Sequence, residues 1–387
     1  MKFILLLSLV LNIIIIKYLN ATDTFRYEEK FIEFNIKLPL PYIILENENY
    51  FGYNMISNVY YFYNKEGKLI HKDLVKDKSR SYIFSVNKTK SGEYIFCGYI
   101  EDYDPTKPHW CPLFGGRILL LKTSENGEKI WNKEIKTLFK KKPDHEFEPW
   151  TTGYLINETD EGYIIIGQIV FNEALGDYLY FARIDKSADH LIGEEAYTNF
   201  KLSGNIYDHY VKLLNNTING IIIGIESEIL FFNNKGILKN YKFNNYVTLS
   251  FVTHNHDFIG LSVSYLSNVL LSIMNQYGET ISSNTIKINS QSYTPYFGIE
   301  SKDDLIIVGT SYDDSKYKLI VFKTTKNGNL IWLKEYDNEI SYKPIGIKRK
   351  DDGIFIYSQY YIYDYTNKTH GVPTLKKNGI HILTIKE

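Results

Sequence analysis

The sequence predicts an all-β chain of seven four-stranded units, in which an N-terminal strand completes the last unit and closes the array. Three observations lead there. A short turn recurs six times, as Asn64-Lys65-Glu66-Gly67, Ser124-Glu125-Asn126-Gly127, Asp185-Lys186-Ser187-Ala188, Asn233-Asn234-Lys235-Gly236, Asn275-Gln276-Tyr277-Gly278 and Thr325-Lys326-Asn327-Gly328. Each copy follows an apolar run, such as Ile118-Leu119-Leu120-Leu121 or Leu319-Ile320-Val321-Phe322, and precedes a second extended run. The repeats also leave a strand over at the N-terminus and a strand missing at the C-terminus, and the two leftovers fit each other.

The turn comes first. Every copy opens with a small polar residue, and five of the six end in Gly. A side chain that accepts hydrogen bonds from the turn, followed three residues later by a residue tolerating positive φ, marks a type I hairpin turn. Ala188 departs from this pattern. Apolar runs on both sides make each turn the tip of a β-hairpin, so the chain reads as a hairpin array.

Aligned on the turns, the chain resolves into four-strand units. The clearest runs from Tyr293 to Tyr336, with strands near 296–299, 304–309, 318–322 and 330–336. Another runs from Tyr82 to Ile135, and Trp131 and Trp332 both stand four residues after the turn glycine. The units occupy approximately 40–75, 80–135, 150–197, 206–243, 246–286, 292–336 and 341–387. The last reaches its third strand as the chain ends, and residues 28–37 supply its fourth. Closure protects edges that an open array would expose.

The segments Lys122-Thr123-Ser124-Glu125-Asn126-Gly127-Glu128-Lys129-Ile130-Trp131 and Lys323-Thr324-Thr325-Lys326-Asn327-Gly328-Asn329-Leu330-Ile331-Trp332 look like the turn-then-Trp motif of propeller blades. With them the chain resembles the secreted β-propellers of the PQQ-like and WD-like repeat superfamily over nearly all of its length after the leader. The resemblance implies a seven-bladed β-propeller of four-stranded blades. These motifs are architectural, so activity has to be argued from a site.

Length and composition agree with one such domain. The chain has 387 residues, 44% hydrophobic and 23% charged, which is ordinary for a globular protein. Its 34 tyrosines fit either an A/T-rich coding bias or an aromatic binding surface. A net charge of −1 without a long basic block excludes the electrostatic footprint of a nucleic-acid binder. Met1-Lys2, the apolar stretch Phe3 to Ile16 and Ala21 fit a secretory signal peptide over residues 1–21, leaving 22–387 as a single propeller domain. As a helix that stretch would span about 21 Å, short of a bilayer core of about 30 Å, so no stable membrane span is expected in the mature chain. The expected location is secreted, cell-surface or periplasmic.

Export would place Cys97 and Cys111 in an oxidising compartment, where a disulfide closing a loop of about 15 residues contributes about 3 kcal/mol; two unpaired thiols are the alternative. Five Asn-x-Ser/Thr triplets occur, at Asn20, Asn87, Asn157, Asn215 and Asn367, and an Asn-rich chain produces such triplets by chance.

Chemistry is sought in the segments that do not repeat. In a propeller the second-to-third-strand loops and the links between blades share one face. The long segments Tyr99 to Gly116, Ser358 to Asn378 and Lys136 to Pro149 fall into those classes. The first contains Asp102, Asp104, His109 and Trp110, and the linker contains His145, Glu148 and Trp150. Carboxylates, imidazoles and indoles together suit a ligand pocket for a sugar or peptide; solvated loops with locally packed Trp are the simpler reading. Tyr82, Tyr246, Tyr293 and Tyr342 recur at first-strand starts, joined by Asp208 and His209. If first strands line the channel, these tyrosines ring its entrance; packing between blades is the alternative.

His254-Asn255-His256-Asp257 comes nearest to a metal motif, but it falls on a turn at the opposite face and lacks further ligands, so no metal is expected. No cofactor is expected either, since a quinoprotein would show a metal site beside adjacent cysteines. Ser124, Asn126 and Trp131 approach a sialidase box, with Gly127 one place early and Asp replaced. The expectation is a secreted, non-catalytic propeller that binds a protein or glycan on its long-loop face. The alternatives are a propeller glycan hydrolase using carboxylates among Asp102, Asp104, Glu148 and Asp208, and a structural surface-assembly module.

Overall fold

The computed structural model describes residues 26–34, 42–54, 57–76, 79–102, 116–139, 149–171, 177–202, 211–217, 220–225, 227–233, 235–245, 247–263, 268–288, 293–313, 316–336, 340–351, 353–369 and 372–386. The predicted leader lies outside them. The described elements are strands, beginning with β1 (Arg26–Glu33). Blade one is β2 (Tyr42–Ile44), β3 (Tyr50–Asn54), β4 (Val59–Tyr63) and β5 (Leu69–Leu74); blade two is β6 (Ser79–Lys88), β7 (Tyr94–Asp102), β8 (Arg117–Thr123) and β9 (Lys129–Ile135). Blade three is β10 (Trp150–Glu158), β11 (Gly162–Val170), β12 (Asp177–Asp185) and β13 (Leu191–Leu202); blade four is β14 (Val211–Thr217), β15 (Gly220–Ile225), β16 (Glu228–Asn233) and β17 (Gly236–Lys242). Blade five is β18 (Leu249–Val252), β19 (Phe258–Val263), β20 (Asn268–Met274) and β21 (Thr280–Lys287); blade six is β22 (Thr294–Ser301), β23 (Asp304–Asp313), β24 (Lys316–Thr325) and β25 (Leu330–Tyr336). Blade seven holds β26 (Ser341–Lys350), β27 (Gly353–Thr369) and β28 (Val372–Lys386), with β1 as its fourth strand.

Seven antiparallel four-stranded sheets make this a seven-bladed β-propeller. The chain forms two compact units, residues 40–244 with blades one to four, and residues 245–387 together with β1. Within the second, β1 pairs with β28 from Arg26 opposite Lys386 to Glu33 opposite Gly379, so the predicted closure of the last blade by the N-terminal strand is realised.

The six predicted turns are all hairpin tips between third and fourth strands. Gly67, Gly127, Gly236, Gly278 and Gly328 have φ between 80° and 110°. Ala188 takes the same left-handed conformation at 58°. The opening side chains act as acceptors: Asn64 Oδ1 receives the Lys68 N–H at 2.8 Å, Ser124 Oγ that of Glu128 at 3.1 Å and Asp185 Oδ1 that of Asp189 at 2.9 Å.

Burial grades across each blade. Every residue of β11 is buried, whereas β5 and β21 are largely exposed or half-buried. Blades then stack through the faces of these sheets. Phe51 of blade one lies 4.2 Å from Phe96 of blade two, ring centre to ring centre, and Phe181 of blade three lies 5.6 Å from Phe232 of blade four. In the other unit, Phe251, Leu271, Tyr293 and Phe322 join blades five and six in one apolar cluster. A fully buried side chain of this size contributes about 1.5–3 kcal/mol, so adjacent blades hold each other in place.

Two local features differ from the sequence reading. Residues 358–378, expected as a long loop, lie largely in β27 and β28. The run from Tyr357 to Tyr365 is dense in Tyr and Ile, which fit an extended, half-buried surface. The other feature is a register shift inside five first strands, at Phe84, Tyr154, Leu214, Tyr296 and Ile345, which the ladder with the second strand skips. Glycines on the second strands accommodate three of these bulges. A Cβ on Gly98 would lie 1.8 Å from Tyr82 O, one on Gly167 1.8 Å from Thr152 O, and one on Gly309 2.3 Å from Thr294 O. Only a residue without a side chain fits there.

Candidate functional site

The second-to-third-strand hairpins carry the described part of the end predicted to hold the long loops. In blades six and seven this end is lined with tyrosine. Tyr312 and Tyr317 face each other across the β23–β24 hairpin with ring centres 5.0 Å apart, and they are 49% and 48% exposed. The four residues between them in sequence, Asp313-Asp314-Ser315-Lys316, have turn chemistry. In blade seven Tyr361 stacks on Tyr363 with centres 6.1 Å apart and planes 22° from parallel.

Ser341 links the two hairpins. It sits opposite Tyr361 in the β26–β27 ladder, and its Oγ accepts the Tyr317 N–H at 3.2 Å. Burial raises the Tyr361 hydroxyl pKa above the ordinary phenol value, with Tyr363 adding to the effect. Lys343 lies two residues along β26 from Ser341. Its side chain reaches solvent, yet the surrounding protein removes enough water to lower its pKa below the usual lysine value.

In blades two and three, Trp150 begins β10 and is half-buried, packed edge-to-face against Tyr99 with ring centres 6.0 Å apart. The Tyr99 hydroxyl donates to Glu101 Oε2, and the Arg80 guanidinium stands 4.0 Å from Glu101 Oε1. Glu101 is only 5% exposed, so the phenol and guanidinium hold its carboxylate inside the protein. Gly116 closes against the same ring: a Cβ there would fall 2.0 Å from Tyr99. Together these contacts fix the platform on which Trp150 rests.

The sequence-predicted site residues divide into four groups. Trp150 lies at the expected end of its blade. Tyr293 and Tyr342 are 3% and 1% exposed and pack between blades, Tyr293 beside Phe322 at 5.9 Å and Tyr342 beside His381 at 5.2 Å between ring centres. The backbone of Asp102 ends β7 opposite Ser79. The remaining positions, Asp104, His109, Trp110, His145, Glu148, Asp208 and His209, lie outside the described residues. Tyr312, Tyr317, Tyr361 and Tyr363 were not predicted. Their signal was the pair of tyrosines flanking the polar run Asp313 to Lys316, at 312 and 317, and the alternate tyrosines at 361 and 363.

Cys97 is a free thiol with no exposed surface, and burial raises its pKa. Its expected partner, Cys111, lies outside the described residues. His254 and His256 occupy a tight turn, with His256 at φ 62° and its N–H donated to Thr253 O at 3.0 Å. The His254 ring nitrogen Nδ1 contacts Glu300 Oε2 at 2.6 Å. Among the described residues no group of three or more His, Cys, Asp or Glu side chains is placed to hold a metal ion.

Comparison with known proteins bears on the fold. Neither a family model nor a curated protein sequence matches the chain. Among solved structures, the chain is similar to a catalytically inactive virginiamycin B lyase from Staphylococcus aureus with quinupristin, at a TM-score of 0.53 and 14% identity, covering 93% of this chain and 99% of that one. A selenomethionine form of the same lyase gives a TM-score of 0.50 at 14% identity, with the same coverage. BamB from Moraxella catarrhalis gives 0.47 at 10% identity, covering 92% of this chain and 98% of that one. At 14% identity the likeness to the lyase is one of fold alone.

Proposed function

We propose that this chain is an exported binding module whose protein or glycan partner docks on the end carrying the second-to-third-strand hairpins, without catalysis. The observation that supports it is the Tyr312–Tyr317 pair, half exposed and adjoining the Tyr361–Tyr363 stack through Ser341. Folding normally removes rings of this size from water. Several such rings at one end supply rigid, amphipathic contact area at little entropic cost, as expected of a recognition surface. The supported Trp150 on blade three belongs to the same class of feature. Asp102, Asp104, His109, Trp110, His145 and Glu148 belong to this proposed face by their place in the chain.

The test is a glycan-array and pull-down screen of the full chain, with Trp150→Ala and the double variant Tyr312→Ala/Tyr317→Ala alongside. The reading expects at least one partner whose capture is lost in one of the two variants. If both retain every interaction detected for the parent, the proposed face is wrong. Release of new reducing ends from a bound glycan would replace the binding reading with that of a hydrolase.

A further inference from the structure

We infer that the tyrosine patch of blades six and seven takes an anionic saccharide, its sugar ring laid on a tyrosine face and its acid group held by Lys343. The inference rests on the binding reading above and narrows it to a ligand class.

Two observations carry it. The patch presents flat rings: Tyr312 and Tyr317, half exposed across one hairpin, and Tyr361 and Tyr363, partly buried and stacked in the next. A pyranose offers a matching surface, one face of C–H groups for the ring and equatorial hydroxyls for hydrogen bonds. The other observation is a charge without a counter-charge. Neighbouring lysines are neutralised, Lys318 by Glu335 at 3.4 Å and Lys377 by Glu33 at 3.1 Å. Among the described residues no carboxylate is paired with Lys343, although the protein around it has removed part of its water.

Position joins the two. Residues two apart on a strand project to the same side, about 7 Å apart, so Lys343 and Ser341 share one side of β26. Ser341 in turn is bonded to Tyr317 and opposite Tyr361. A ring stacked on these tyrosines therefore brings an attached carboxylate or sulfate within reach of a lysine that has no carboxylate partner among the described residues. A neutral sugar would cover the lysine without compensating it, and an acidic peptide of Glu residues would compensate it without using the rings.

The experiment titrates the full chain with four probes: a tetragalacturonate, a chondroitin sulfate tetrasaccharide, neutral cellotetraose and a tetraglutamate peptide. Both acidic sugars should bind at least about tenfold more tightly than the other two. Lys343→Gln should weaken acidic-sugar binding about tenfold, Lys343→Arg should keep it within about threefold, and Tyr312→Ala/Tyr317→Ala should weaken it at least as much as the glutamine variant. Equal melting temperatures show that the losses are not unfolding. Equal binding of cellotetraose or tetraglutamate, or full binding by Lys343→Gln, overturns the saccharide inference and leaves the binding reading standing. Failure of all four probes also overturns it, while the partner screen decides the binding reading separately.

Discussion

The carboxylate of Glu300 accepts the backbone N–H of His254 at 2.7 Å, so the first strand of blade six caps the first turn of blade five. Lys326 holds the other oxygen at 2.6 Å, and Glu300 is 4% exposed. The same device recurs between blades two and three, where Glu158 Oε2 accepts the Lys90 N–H at 2.6 Å. Burial pushes the Glu300 carboxyl up, but hydrogen bonds from Lys326 and from the His254 backbone and ring outweigh it, leaving its pKa below the usual value. A depressed folded-state pKa means a stability contribution that is complete above the unfolded carboxylate pKa. It is lost as the pH falls through the folded value. Glu300→Gln should therefore destabilise by about 1–3 kcal/mol near neutral pH, because it removes the negative charge to which the half-buried Lys326 ammonium and the His254 N–H are bonded. The cost should shrink in acid, toward about pH 3. Urea unfolding of both proteins at the two pH values checks this, and an equal cost at both would rule out the charged clip.

The hairpin turns differ in what a methyl group costs them. Gly127 has φ 93°, and a Cβ there would lie 2.4 Å from the Phe62 ring, so Gly127→Ala combines backbone strain with overpacking. It should lose about 2 kcal/mol or more. Ala188 accepts a left-handed conformation costing about 1 kcal/mol, but its methyl is buried, at 1% exposure, which returns about 0.8 kcal/mol. The two nearly cancel. Ala188→Gly should change the unfolding free energy by less than about 0.5 kcal/mol, and a gain well above 1 kcal/mol would show that the methyl contributes nothing.

Two of the sequence's glycosylation triplets point at each other. Asn87 Nδ2 donates to Asn157 Oδ1 at 2.9 Å across blades two and three, and Asn157 is 5% exposed. A glycan on either would have to break this contact. Folded protein secreted from a eukaryotic host should carry no sugar at Asn87 or Asn157, which peptide mapping by mass spectrometry reads directly. A substantial glycosylated fraction at either position in folded material would contradict the packing.

The repeating part of the structure was legible, and for a definite reason. A hairpin tip needs an acceptor at its first position and a left-handed residue at its fourth, so Asn64 to Gly67 and its five relatives register the blades by local chemistry alone. The unmatched strand around Phe31 and Ile32 then found its place opposite His381 and Ile380 by elimination. The bulges were missed because their cause is not local. Gly98, Gly167 and Gly309 each end an apolar run, but the carbonyl that excludes their side chains belongs to another strand. Tyr293 and Tyr342 illustrate the limit for the site. A tyrosine at a strand start suits a channel rim as well as a blade interface, and only packing against Phe322 and His381 separates the two. Tyr312 and Tyr317 look equally ordinary in sequence, and only the hairpin sets them side by side at the surface.

The proposed binding surface is the hairpin end of the blades and not the repeated turns. Tyr277 makes the comparison direct, because it is 72% exposed and sits in the turn Asn275 to Gly278, at the turn end of blade five. The decisive measurement is the affinity of the full chain for the best-bound saccharide or protein from the partner screen, taken for Tyr312→Ala/Tyr317→Ala and for Tyr277→Ala. The expected result is a loss of about tenfold or more in the first and a change under about twofold in the second. A loss confined to Tyr277→Ala, with the double variant binding like the parent, would contradict it.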